Sequence, residues 1–148
     1  MTWPDESSLL RLTQETLDAI VVHCLDAYPE EGCGLLVGDP TNARVVDAFP
    51  ARNLAASARV YEVDPKDFLR TDREAEQRGL EVIGVYHSHT HTDPFPSPTD
   101  IEQAVDPSWH YVIVSLRQDV AATRSYRIAD GRVEEELIEV TGTADPNR

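Results

Sequence analysis

Residues 81–100 read EVIGVYHSHTHTDPFPSPTD. With Leu80 in front, the segment LEVIGVY is a nearly continuous apolar run, the pattern of a strand buried on both faces. It leads straight into three histidines at alternate positions, His87, His89 and His91. A buried strand that ends in ligand-bearing side chains implies a central sheet with a site at one end.

On an extended chain, residues i and i+2 point to the same side. His87 and His89 therefore converge, and Ser88 faces away. If the strand continued, His91 would lie about 13 Å from His87 at roughly 3.3 Å per residue. Zn–N bonds are only about 2 Å long, so one ion cannot span that row. The proline-bearing loop TDPFPSP can instead fold back and bring Asp100 to the histidines. Catalytic zinc takes three protein ligands and keeps a position for water, and His87, His89 and Asp100 would supply such a set. Taken alone, a His-x-His pair says little. Ser97-Pro-Thr-Asp100 also matches a helix capping box with proline at the first helical position. Both readings can hold together, because the first turn of a helix is a rigid base from which to aim a carboxylate.

Outward from this segment, helices and strands alternate. Leu17, Ile20, Val21, Cys24, Leu25 and Tyr28 form one apolar stripe, which predicts a helix over 13–27 with Thr13 as N-cap and an end at Pro29. GCGLLVGD reads as a short buried strand and, after a DPTN turn, ARVVDAF as a second. Residues 50–63 are irregular. Asp64-Pro65 starts a helix expected to run to Gln77 and stop at Gly79. Ser97–Val105 reads as a short helix and WHYVIVSL as another buried strand. ATRSYRIAD and GRVEEELIEV pair as a hairpin across Asp130-Gly131. The expected fold is α/β, a single domain over 13–140 with a mixed β-sheet flanked by helices, preceded by an extension (1–12) and followed by a flexible tail (141–148).

The chain has 148 residues, 13 basic against 27 acidic, and a net charge of −14. That field repels nucleic-acid phosphates and anionic lipid, so neither is an expected partner. No apolar run approaches the roughly 18 residues of a membrane span, and MTWPDESSLLRL lacks the features of a signal peptide. With only Cys24 and Cys33, and no CxxC pair, a cytoplasmic location is expected.

His87-Ser88-His89, seven residues, then Ser97-x-x-Asp100 resembles the JAMM motif of the MPN-type metallopeptidases. That motif also requires an upstream glutamate, for which Glu31-Gly-Cys-Gly-Leu-Leu-Val-Gly is the match. The resemblance continues through Asn53, the YEVDP stretch and HYVIVS, over roughly residues 13–140. It implies a cytidine-deaminase-like fold and a zinc ion on His87, His89 and Asp100. It further implies Glu31 as general base and Ser97 as donor to the oxyanion. Glu30 is the alternative if the register is off by one. YHSHT followed by proline and S-x-T-D is most similar to small bacterial peptidases acting on sulfur-carrier proteins. The resemblance therefore implies a ubiquitin-like carrier with a C-terminal Gly-Gly tail as partner and cysteine or a similar amine as the released group. Thr90 stands where many members carry proline, and the motif does not require His91 or Asp93.

Other residues have plainer readings. Cys33 suits packing between glycines better than nucleophilic attack. His23 is expected at the surface, and His110 satisfied within its strand. There is no H-E-x-x-H helix for a zincin and no P-C-x-x-C for a zinc deaminase. A deubiquitinase-like or general metallopeptidase remains an alternative, as does a non-catalytic MPN scaffold. An exposed strand edge is the expected holder of an extended peptide.

Overall fold

A computed structural model of the chain describes residues 8–104 and 106–142. The elements run β1 (Leu9–Thr13), α1 (Gln14–Ala27), β2 (Cys33–Asp39), β3 (Arg44–Ala51), α2 (Pro65–Gln77), β4 (Glu81–His89), α3 (Pro98–Gln103), β5 (His110–Ser115), β6 (Ala122–Ala129) and β7 (Arg132–Thr141). The sheet is mixed, as expected. β4 pairs parallel with β5 and β1 parallel with β7, whereas β2–β3, β2–β4, β5–β6 and β6–β7 are antiparallel.

Two features depart from the sequence reading. Leu9–Leu12, assigned to an extension, belong to β1, which runs beside β7 in register from Leu9↔Leu137 to Thr13↔Thr141. Thr141, assigned to the tail, is accordingly the last residue of β7. The sheet also closes into a barrel in the order β1-β3-β2-β4-β5-β6-β7, through a single β1–β3 pair, Arg11↔Arg44. The closure is one pair long: among the described residues, β3 from Val45 to Ala51 is paired with β2 alone. Residues 143–148 of the expected tail lie outside the described residues.

Alternation divides the core into two clusters on opposite faces of the sheet. Leu36, Tyr86, Val112 and Val114 pack with Ile20 and Cys24 of α1 and with Leu10 and Leu12 of β1. Their chain neighbours Leu35, Val85, Tyr111 and Ile113 pack with Tyr126 and Ile128, against Phe68 of α2 and Ile101 of α3. β4 is thus covered on both sides, which explains its unbroken apolar run.

Caps set the helix boundaries. Thr13 accepts from the Thr16 amide and Asp64 from the Lys66 amide. Gly79, at φ +69, follows the end of α2, and Asp130-Gly131, at φ 52 and 76, make the β6–β7 turn. Gly34 lies opposite Tyr86, and a Cβ there would overlap the Tyr86 ring. The room so created admits Tyr86, whose hydroxyl lies 2.6 Å from His23 Nδ1. His23 is therefore half-buried against the tyrosine edge rather than on the surface, because a buried phenol needs a polar partner.

Candidate metal and catalytic site

The C-terminal end of β4 carries His87 and His89 on the face that holds Val85, while Ser88 points to the other. There Ser88 Oγ accepts from the Gly32 amide at 2.8 Å, and the Ser88 amide donates to Gly32 O at 3.0 Å. This two-way bond ties the residue after Glu31 to the middle of the His-x-His pair. The strand delivers one face to ligation and the other to anchoring.

Asp100 reaches the histidines from the first turn of α3. Ser97 Oγ accepts from the Asp100 amide at 3.0 Å, and Asp100 Oδ2 accepts from the Ser97 amide at 2.9 Å, a complete capping box. The same Oδ2 lies 3.0 Å from His89 Nε2 and 3.2 Å from His87 Nε2, and the two ring nitrogens are 3.2 Å apart. All three residues are buried.

His89 Nδ1 lies 2.8 Å from Asp93 O, which can only accept, so Nδ1 carries the proton and Nε2 presents its lone pair. The His89 lone pair, His87 Nε2 and the Asp100 carboxylate then converge on one point, an arrangement suited to a cation. Their separations are close to those between ligands about 2 Å from a tetrahedral zinc ion. The buried His87-His89-Asp100 group fits a zinc site. Burial opposes charge on every member. It prevails at His87, whose pKa is lowered. At His89 the Asp100 carboxylate and the Asp93 carbonyl outweigh it, and the pKa is raised. At Asp100 the two histidines outweigh burial and hold the carboxyl well below the usual range.

Glu31 sits just ahead of β2, 4% exposed, and its Oε1 is buried without a hydrogen-bond partner. Burial pushes its pKa up to about 8, with His89 lowering it and Asp100 raising it. Neighbouring Glu30 is exposed to solvent. The Glu31 backbone is pinned at both ends: its amide donates to Ser57 O at 2.7 Å and its carbonyl accepts from Asn53 Nδ2 at 3.0 Å.

His91 lies apart from the buried group. Thr90 Oγ1 donates to Ala58 O at 3.0 Å, so it accepts from His91 Nδ1 at 2.8 Å. His91 Nε2 is then left to accept from the Tyr28 hydroxyl at 3.3 Å. Asp93 pairs with Arg117 at 2.7 Å on the surface. Cys24 and Cys33 are free and buried, and burial pushes both thiols up to about 12, so neither is poised as a thiolate. His110 is satisfied in place, with Nδ1 2.6 Å from Glu136 Oε2.

Tyr61 was given no role by the sequence, yet its ring stacks on His87 with centroids 4.2 Å apart. It lies in the irregular 52–63 segment, where no periodicity marks a side chain as inward-facing. Asn53 organises that segment, donating to Glu31 O and Val60 O and accepting from the Ala55 and Glu62 amides.

A mixed sheet closed into a barrel, with His-x-His at the end of a central strand and an aspartate aimed from a helix cap, defines a JAB-type domain. The sequence matches the prokaryotic homologs of the JAB domain over residues 13–129, and the chain belongs to that family. It is 36% identical to the CysO-cysteine peptidase of Mycobacterium tuberculosis over 133 residues, 89% of this chain and 91% of that protein. It is 40% identical to the desampylase of Haloferax volcanii over 114 residues, 74% of this chain and 82% of that one. The solution structure of a Desulfitobacterium hafniense protein superposes with a TM-score of 0.84 at 30% identity, covering 92% of this chain and 94% of the other. Among the described residues, no helix is long and apolar enough to cross a membrane.

Proposed function

We propose that this chain is a zinc peptidase that cleaves the amide or isopeptide bond after the C-terminal Gly-Gly of a ubiquitin-like sulfur-carrier protein, releasing cysteine or a similar amine. The observation that carries the reading is Glu31: a buried carboxylate oxygen without a partner, electrostatically coupled to His89 and Asp100. A structural glutamate at that depth would be hydrogen-bonded. The similarity to a CysO-cysteine peptidase and a desampylase supports the substrate class.

His87, His89 and Asp100 would hold the zinc ion, which when bound supplies Lewis-acid activation of water and of the scissile carbonyl. Glu31 takes the proton of the attacking water as general base and hands it to the departing amine as general acid. Ser97 Oγ accepts from the Asp100 amide, so its own O–H is left to donate to the oxyanion. The Asp93 carbonyl and the Tyr61 ring hold the two imidazoles in orientation. Glycine at the cleaved position lets the substrate backbone approach this crowded end of β4.

The test is mass spectrometry of a carrier–cysteine adduct incubated with zinc-loaded protein, beside a chelated control. Release of free carrier only in the zinc-loaded sample is expected. Cleavage of carrier–lysine isopeptides in preference to the cysteine adduct would make the activity deubiquitinase-like. Rapid cleavage of unrelated short peptides with the adduct left intact would overturn the carrier assignment.

A further inference from the structure

β4 ends at the metal-site histidines, and its start forms one wall of a second cavity. Along the strand, Ile83 of the cavity wall lies four residues from His87, roughly 13 Å at about 3.3 Å per residue. The cavity measures about 430 Å³ and is lined by Arg11, Glu81, His110 and Arg127 among others. That volume falls in the range of small-molecule sites.

Arg127 is the unusual member. Its side chain is only 19% exposed, and its nearest carboxylate oxygen, Glu136 Oε1, is 3.9 Å away. Nη2 makes one long bond to Ser108 O at 3.4 Å, and Nε is buried with no partner. A guanidinium has five donors, and taking it out of water without acceptors is costly. Glu136 pairs with Arg127 as a counter-charge but at 3.9 Å is beyond hydrogen-bond reach, and its nearer donors are His110 Nδ1 and Ser125 Oγ on Oε2, at 2.6 and 2.8 Å, and Ser8 Oγ on Oε1, at 2.9 Å. The same bond commits Nδ1 of His110 and leaves Nε2 as the ring's remaining polar atom, on a residue that borders the cavity. Arg11 adds a second cation, donating from Nη1 to Asn42 O at 2.6 Å and lying 3.5 Å from Glu139 through Nε.

We infer that this cavity is a binding site for a small molecule carrying one carboxylate or phosphate group, received by Arg127 with His110 and Arg11 beside it. A planar guanidinium fork matches either oxyanion. Glu81 on the wall and the chain's net charge of −14 disfavour polyanions such as nucleotides or nucleic acid. The site is separate from the peptidase centre and does not depend on it.

The experiment is two-dimensional NMR of the histidine rings and arginine Nε–H groups of the zinc-loaded full chain, titrated with inorganic phosphate and, separately, with acetate. Saturable shifts at His110 and Arg127, with the His87 and His89 signals unmoved, are expected from at least one probe. Which probe binds tells phosphate from carboxylate. Arg127→Gln should weaken binding about tenfold or more. Arg11→Gln, nearer solvent, supplies a second variant and should weaken it to a smaller extent. If neither probe moves His110 in the unaltered protein, or if Arg127→Gln and Arg11→Gln both bind as the parent does, the inference is overturned.

Discussion

Asp100 Oδ2 accepts the Ser97 amide at 2.9 Å while standing 3.0 Å from His89 Nε2, so one oxygen atom closes a helix cap and faces the candidate metal position. Capping and ligation therefore separate by substitution. Asp100→Asn keeps an oxygen for the Ser97 amide but loses the anionic ligand. Its zinc affinity should fall by more than the roughly 10–100-fold that follows from altering a residue behind a ligand, and the metal-free protein should keep its cap but lose the stabilisation that the ionised carboxylate draws from His87 and His89. Asp100→Ala should lose the metal as well as about 1 kcal/mol of cap stability. Zinc content and thermal melts read the two effects. Equal metal-free stability of Asn and Ala variants would show that the cap does not depend on this oxygen.

His91 is held by Thr90 and Tyr28 outside the buried group. His91→Ala should retain zinc, whereas His87→Ala or His89→Ala should purify without it. Metal content by mass spectrometry decides, and zinc loss from the His91 variant would mean that the ligand set is wrong.

Ser97 serves the cap through its lone pair and keeps its proton free. Ser97→Ala should therefore cost about 1 kcal/mol of stability and, separately, lower kcat by about 10²–10³ with KM little changed. A loss of stability with unaltered kcat would leave Ser97 as a cap and nothing more.

Much of this was legible because the deciding signals are local. Val85 and His87 share a face by strand alternation, Asp64-Pro65 announces α2, and Asp130-Gly131 announces the final turn. β1 was hidden for the opposite reason. Leu10 and Leu12 are buried at period two, but the strand is only five residues long, carries Arg11 between them, and pairs with β7 at the far end of the chain. Barrel closure rests on the same remote pairing. Tyr61 was hidden because Asn53 holds its segment by side-chain bonds rather than by a repeating backbone pattern. The placement of Glu31 came from a motif, but its unpartnered burial could only be seen in three dimensions.

Glu31→Gln should keep zinc and lose turnover, because an amide cannot carry the proton between water and the leaving amine. Glu30→Gln, altering an exposed side chain, should stay near the parent rate. The reverse pattern would move the general base by one residue.

The same carboxyl should shape the stability of the metal-free protein. Its pKa is raised from 4.5 to about 8, chiefly by burial, so between those values the folded state binds more protons than the unfolded one. Stability contributed at this site is then greatest below pH 4.5 and falls as pH rises toward 8, above which the full cost of a buried anion is present. Glutamine has no such cost. Metal-free Glu31→Gln should therefore melt higher than the metal-free parent at pH 8, by about 2–4 °C for each kcal/mol recovered in a chain of this size. The two curves should converge toward pH 5. Other groups at the site titrate in both proteins, so the difference between them, rather than either curve alone, isolates Glu31. Thermal melts after chelation at pH 5 and pH 8 provide the measurement. An offset between variant and parent that is the same at both pH values would show that Glu31 is not buried as an unpartnered acid.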